Sequence, residues 1–330
     1  MDTHHNQHPL GSGFTAASTV DDVLQGIDLA GTNVVVTGGH TGLGLQTTRA
    51  LTAAGASVTV GARRVDRATA ALSDIPGVEI GELDLVDVAS VDGFVSRWLE
   101  SDRPLHVLIN NAGLPAPAEV LRDTRGYEAQ FATNHLGHFQ LTLGLLPALR
   151  AAHGARVVNV SSGAQRFSDI HWDDVHLTSG YDPNVAYAQS KTANVLFAVE
   201  LDRRWSADGI RGYAVHPGVV VGTNVNGAAG QGQLRAMGLI DDTGQPIIRP
   251  ETGRKTPQQG AATIVFAATS PLLADIGGVY LKDNDISALA AEPLPMTFDP
   301  DVDIPGEVAP HSIDPESAAR LWELSEELLA

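Results

Sequence analysis

The chain has 330 residues, 43% of them hydrophobic, which suits one large α/β domain with a sizeable buried core. A formal charge of −18 argues against nucleic-acid or anionic-membrane partners, so any anionic ligand must be held by local groups. Cysteine is absent, which excludes disulfides, thiolate catalysis and zinc–thiolate sites.

Residues 1–18 read as a polar, flexible arm with His4, His5 and His8 and no apolar leader, ahead of a single domain over 19–330. Residues 19–26 suggest a short lead-in helix capped by Thr19. A β-branched strand at 33–37, a glycine-rich turn at 38–44 and an Ala/Thr/Leu-rich helix at 45–54 then form a strand–turn–helix unit. The alternation continues with strands at 57–61, 78–83, 105–110, 155–160, 210–216 and 278–281. Helical segments fall near 64–73, 90–101, 124–151, 187–207 and 257–269. Seven strands, several continuously apolar, predict a Rossmann-type doubly wound parallel sheet with helices on both faces. Two long polar stretches, 163–186 and 219–256, follow strand ends and are candidate substrate loops, the alternative being surface decoration. Within the second, 222–256 is expected to act as a lid, its Gly227, Gly230 and Gly232 offering little side-chain anchoring. After a Pro- and Asp-rich tail at 291–310, Asp314, Pro315 and Glu316 open a last helix over 315–329. No apolar run reaches bilayer-spanning length, the nearest, 136–152, being broken by His138, Gln140 and Arg150. A soluble, cytoplasmic protein is therefore expected, and a homo-oligomer is compatible with the sequence.

Chemistry concentrates at a few places. In Thr37-Gly38-Gly39-His40-Thr41-Gly42-Leu43-Gly44, directly after a strand, Gly38 permits a tight turn, Gly42 allows a pyrophosphate near the backbone and Gly44 allows close helix–strand packing. In that context the pattern predicts a dinucleotide site. The second strand ends in Gly61-Ala62-Arg63-Arg64, with no acid to read a ribose diol; Arg63 suits a 2′-phosphate, the alternative being two solvated arginines. This predicts NADP(H) in preference to NAD(H). Asp84, after the third strand, could accept from the adenine amino group or simply cap the strand end. Tyr187 and Lys191 lie one turn apart on a helix face, where a fixed cation favours the phenolate; Tyr187 reads as a tuned acid/base, against the alternative of an ordinary surface pair. His135 and His138 could share a helix face as metal ligands, but no carboxylate completes a set, so satisfied helix histidines and no metal are expected. Ser161-Ser162-Gly163 lacks the flanking glycines of a hydrolase elbow. His171, Asp173, Asp174 and His176 read as solvated loop residues rather than substrate-mouth groups.

Thr37–Gly44 as T-G-x-x-x-G-x-G, Asn110-Asn111-Ala112-Gly113, Asn134, Ser161-Ser162, Tyr187–Lys191 and Pro217-Gly218 occur in the order and spacing of the short-chain dehydrogenase/reductase family, which the chain resembles over roughly 20–330. The stretches around 133–139 and 186–194 look like the branch of retinol dehydrogenases, WW-domain oxidoreductases and protochlorophyllide reductases. The resemblance implies an alcohol dehydrogenase or carbonyl reductase. Tyr187 would exchange the proton, Lys191 would hold the nicotinamide ribose and lower the phenol pKa, Ser162 would bond the substrate oxygen and Asn134 would hold a relay water. It implies cofactor contacts from Gly38, His40, Thr41, Gly42, Leu43, Gly44, Arg63, Asp84, Leu85, Asn111, Ala112, Gly113, Tyr187, Lys191, Pro217, Gly218, Val220 and Thr223, although Thr223 lies one residue farther from Gly218 than the family spacing. There is no counterpart of the protochlorophyllide reductase cysteine and no visible membrane anchor like that of many retinol dehydrogenases. The expected substrate is a small to medium, partly apolar carbonyl or alcohol. A sugar-nucleotide epimerase or dehydratase would more often show T-G-x-x-G-x-x-G, and a cofactor-binding sensor or scaffold is disfavoured by the intact Ser162, Tyr187 and Lys191.

Overall fold

The computed structural model describes residues 6–117, 119–221, 230–291 and 306–330. Valines at 34, 35 and 36 are all fully buried because successive side chains leave a strand on opposite faces, and here both faces are covered. Val34 and Val36 join a core with α1 (Val20–Leu24), α2 (Gly42–Ala53), α3 (Val65–Ala71) and α10 (Pro257–Thr269). Val35 joins a second core with α4 (Val88–Glu100), α6 (Gly137–Gly144) and α7 (Leu146–Ala151).

The strands are β1 (Asn33–Thr37), β2 (Ser57–Ala62), β3 (Glu79–Glu82), β4 (Val107–Asn110), β5 (Ala155–Val160), β6 (Ile210–His216), β7 (Val279–Lys282) and β8 (Asp285–Ile286), ordered β3-β2-β1-β4-β5-β6-β7-β8. The first seven are parallel, as the alternation predicts; β8 adds a short antiparallel ribbon to β7. Its tight turn uses Asp283 and Asn284 at φ 55° and 64°, the left-handed conformation that such hairpins require. Two residues are too few for an alternating pattern, so this strand was not predictable from periodicity. Strand order reverses between β1 and β4, which places a crevice at the carboxyl ends of the central strands.

The predicted helix at 124–151 is instead three pieces: α5 (Ala129–Phe131), which runs through a π turn (Ala132–Leu136) into α6, and then α7. A turn at Gly126 precedes it, and the Glu128 carboxylate caps α5 by accepting from Gln130 and Phe131 N–H. Helix α8 (Pro183–Trp205) starts four residues before the predicted 187, because Asp182 caps Asn184 and Val185 N–H ahead of Pro183. Helices α10 and α11 (Pro315–Leu329) have the predicted bounds, set by the Thr256–Gln259 capping box and the Asp314 cap.

Residues 6–18 are not a loose arm. The Gln7 amide donates to Tyr280 O at 2.9 Å and Ser287 O at 2.6 Å and accepts Tyr280 N–H at 2.9 Å, while Asp285 accepts from Leu10, Gly11 and Ser12 N–H. These edge groups would otherwise need water, which is why a polar segment docks there. Of the expected lid, 222–229 lies outside the described residues; 230–256 contains α9 (Gln231–Ala236) and is tied to the body through Val219 N–H to Gly253 O and Lys255 N–H to Val219 O. No helix among the described residues is long and apolar enough to cross a membrane.

Helix α11 covers α8. Trp322 packs its ring against Phe139, Phe197 and Trp205, at centroid distances of 4.9, 5.8 and 5.2 Å, and is 3% exposed. Replacing it by alanine opens a cavity beneath the helix that carries Tyr187. Trp322→Ala is expected to lower unfolding free energy by about 3–5 kcal/mol in urea titration, and Trp322→Phe by less than half of that loss; a loss below about 1 kcal/mol for the alanine variant would contradict the packing.

Candidate active site

The crevice begins at the glycine-rich turn. Gly38 has φ 66°, and a side chain at Gly44 would meet Gly38 O at 2.5 Å and Asn111 Nδ2 at 2.6 Å, so the turn and the residue 111–113 loop are pressed together with no room for a Cβ. Asn111 Nδ2 donates to Thr37 O at 2.8 Å, and Asn111 and Ala112 N–H both donate to Thr37 Oγ1 at 2.9 Å. His40, Thr41, Gly42 and Leu43 complete the turn and lead into α2; His40 is half-buried, with burial holding its pKa down, and its Nδ1 has no hydrogen-bond partner among the described residues.

Ser162, just beyond β5, lies close enough to Tyr187, on α8, for its side chain to oppose the rise of the phenol pKa. Lys191, one turn further along α8, donates from Nζ to Val160 O at 3.0 Å, and its Nζ lies 5.5 Å from the Tyr187 ring centroid. Asn134 sits in the π turn, with Oδ1 accepting Leu114 N–H at 2.7 Å and Nδ2 donating to Ser190 Oγ at 3.0 Å. A Cβ on Gly113 would lie 3.5 Å from Asn134 Oδ1 and 3.8 Å from Lys191 Nζ, so the loop, the π turn and α8 meet at one point. The four residues that resemblance assigns to catalysis are thus brought into one place.

The lowered phenol pKa expected from the Tyr–Lys spacing is not what the protein's own groups produce. Burial pushes the Tyr187 phenol up to about 12, against the opposing hydrogen bond from Ser162, and pushes the Lys191 ammonium down to about 8. Both charged forms lose water together, and desolvation outweighs the cation.

At the end of β2, Arg63 is exposed, and no partner for it is present among the described residues, whereas Arg64 is held in a two-toothed pair with Asp66. Asp84 Oδ1 accepts Val86 N–H at 3.3 Å, a local turn contact, and Leu85 is buried against Gly137. Beyond β6, Pro217 and Val220 are buried and Gly218 lies against Lys255. Thr223 lies outside the described residues. Four positions that carry the site's geometry are absent from the predicted set: the Thr37 hydroxyl, Leu114, Ser190 and His138. Thr37 and His138 stood inside quoted motifs, but their partners are distant in sequence. His135 bonds Ser325 Oγ at 2.7 Å and His138 bonds Thr37 Oγ1 at 2.8 Å; among the described residues no cluster of three or more His, Asp or Glu forms a metal site.

Comparison with known proteins gives a consistent picture. The profile of the family described as short chain dehydrogenase matches residues 32–234. The chain is 44% identical over 310 residues to a "Probable oxidoreductase" of Streptomyces lividans, covering 92% of this chain and 99% of that protein. It is 35% identical to "Retinol dehydrogenase 12" of Homo sapiens, covering 92% and 88% respectively. Among solved structures, an uncharacterised protein from Mycobacterium paratuberculosis superimposes with a TM-score of 0.69 at 33% identity, covering 95% of this chain and 97% of that one.

Three histidines around the crevice are buried: His135, His138 and His216, the last accepting Gly163 N–H at 3.2 Å. Burial pushes their pKa values down to about 3, 4 and 3. A base whose pKa is depressed on folding stabilises fully above its unfolded value, about 6.5, and that stability is lost as pH falls toward the folded value. Unfolding free energy is therefore expected to fall between about pH 7.5 and pH 5 by about 2 kcal/mol for each of these histidines. In urea titrations across that range, His135→Gln should remove about one proton from the slope; an unchanged slope would show that this ring is not buried neutral.

Proposed function

This chain belongs to the short-chain dehydrogenase/reductase family of oxidoreductases, and on that premise we propose that it interconverts a ketone or aldehyde with an alcohol, using NADP(H) in preference to NAD(H). The observation that carries the reading is the convergence of Ser162, Tyr187, Lys191 and Asn134 on the glycine-rich crevice. The residues fit a dinucleotide: the Gly38–Gly44 turn follows β1 and opens α2 at the carboxyl ends of the strands, and Arg63 is exposed at the rim with no partner among the described residues. Gly38, His40, Thr41, Gly42, Leu43 and Gly44 would hold the pyrophosphate end, with Asp84 and Leu85 toward the adenine. Asn111, Ala112, Gly113, Lys191, Pro217, Gly218, Val220 and Thr223 would hold the nicotinamide end. A bound nicotinamide supplies or accepts the hydride.

The chain's own groups do the rest. Ser162 Oγ positions the substrate oxygen and stabilises charge developing on it. A phenol held near 12 is protonated at neutral pH, the form that gives a proton to that oxygen as a carbonyl is reduced. Alcohol oxidation needs the phenolate, which the Lys191 cation favours and burial opposes. Asn134, tied to Leu114 and Ser190, would hold a water that passes the proton on. Leu114, held against Asn134, supports a partly apolar substrate.

The direct test is oxidation of NADPH and NADH by purified protein with a panel of aldehydes and ketones, in which turnover of no member would overturn the reading. On any active substrate, Tyr187→Phe should keep cofactor binding and lower kcat by about 10²–10⁴-fold; activity within a few-fold of wild type would remove Tyr187 as proton donor. Because the Arg64 fork is engaged by Asp66, cofactor choice should rest on Arg63, worth about tenfold in affinity for NADP(H) at this exposed rim. Ala62→Asp with Arg63→Ala is expected to reverse the preference in titrations of both cofactors, and wild-type affinity that is equal or favours NAD(H) would disprove it.

A further inference from the structure

His138 joins two clamps that hold one loop. Its ring is 1% exposed, with Nδ1 3.1 Å from Asn134 O and Nε2 2.8 Å from Thr37 Oγ1. A backbone carbonyl can only accept, so Nδ1 carries the hydrogen. Burial keeps the ring neutral, which makes Nε2 an acceptor and the Thr37 hydroxyl its donor. The other acceptor in reach of that hydroxyl, Ile109 O, is farther away at 3.4 Å. With its hydrogen given to His138, Thr37 Oγ1 has both lone pairs free for Asn111 and Ala112 N–H, each at 2.9 Å. The next part of the same loop, Leu114 N–H, is held by Asn134 Oδ1 at 2.7 Å. The loop is thus fixed at one end by Thr37 and at the other by Asn134, and one imidazole bonds to both.

We propose that His138 is a positioning residue: its Nδ1–H ring locks the Asn111–Leu114 loop and the π-turn carbonyl of Asn134 into one frame beside Lys191. The two nitrogens then have separable duties. Nε2, through Thr37, sets the loop that would contact the cofactor. Nδ1 orients the Asn134 peptide at the end of the proton path. This carbonyl lies in a π turn, a departure from α-helix frequent at functional sites, and the ring donor gives it a fixed side-chain partner. This inference rests on the functional reading above, in which Asn111–Gly113 serves the cofactor and Asn134 the proton.

Two variants divide the ring. In His138→Asn the side-chain amide reaches only the Nδ1 position, keeping the bond to Asn134 O and losing Thr37. In His138→Gln the amide oxygen reaches the Nε2 position, keeping Thr37 and losing Asn134 O. The Asn variant is expected to weaken NADP(H) binding by about fivefold or more with kcat within about threefold, and the Gln variant to lower kcat by about tenfold with cofactor Kd within about twofold. A role in packing alone would raise the cofactor Kd and lower kcat together in both variants. Wild-type protein gives an independent signature, because long-range ¹⁵N spectra should place His138 in the neutral Nδ1–H form from about pH 8 to pH 5.5. An Nε2–H ring, parallel losses in the two variants, or both constants within twofold of wild type would overturn the proposal, and the spectrum decides if either variant fails to fold. Wild type that binds NADP(H) and reduces carbonyls, but lacks this pattern, removes the inference alone; wild type that does neither removes the functional reading and the inference with it.

Discussion

A buried ammonium must be paired, and that requirement organises the middle of this molecule. Lys191 is 5% exposed and has left water for the carbonyl of Val160, the last residue of β5. Asn194 Nδ2 donates to the same oxygen, Ser161 Oγ donates back to Lys191 O, and Thr192 Oγ1 reaches Gln165 O and Ser168 O. Consecutive turns of α8 are therefore stitched to the end of β5 and the turn after it. With the helix pinned in rotation and height, Tyr187 can only stand beside Ser162. The chemistry of the site follows from a polar seam between a helix and a strand end, inside a fold that otherwise coheres through apolar contact.

The same seam extends to the chain's last helix. Gln165, at the centre of the turn after Ser162, accepts at its backbone oxygen from Ser312 and Thr192 and lies 2.9 Å from His311 Nε2, and its side chain bonds Glu307 O, Ala309 N and Ser312 Oγ. From there α11 returns over α8, placing Trp322 on its aromatic cluster and Ser325 against His135 in the π turn. Substitutions in a helix far from the crevice can thus disturb both α8 and Asn134. The strong net negative charge has no such local role.

Much of this was legible in the linear pattern. The uninterrupted Val34–Val36 run signalled a strand covered on both faces, the glycine spacing signalled close helix–strand packing, and Asp314 gave the start of the last helix to the residue. These are local rules, acting over a few residues. The failures were of another kind. Nothing in 124–151 announced the π turn at Asn134, because it is stabilised by partners in residues 114 and 190. The polar residues 6–18 read as disordered because their partner, the exposed edge formed by β7 and β8, lies some 270 residues away in sequence. The phenol pKa was read from one neighbouring charge, while depth of burial, a property of the whole packing, decided its direction.

By itself the sequence determined the doubly wound sheet, since this depends on short-range periodicity and on strand–turn–helix units of regular spacing. Only the structure distinguishes the two adjacent arginines, with Arg64 engaged by Asp66 and Arg63 exposed without a partner among the described residues. It alone brought Thr37, His138 and Asn134 into one network, since residues 37 and 138 meet through the reversal of strand order between β1 and β4. Hydrogen bonds and desolvation act over a few ångströms in space, and the chain reveals such proximities only after it has folded.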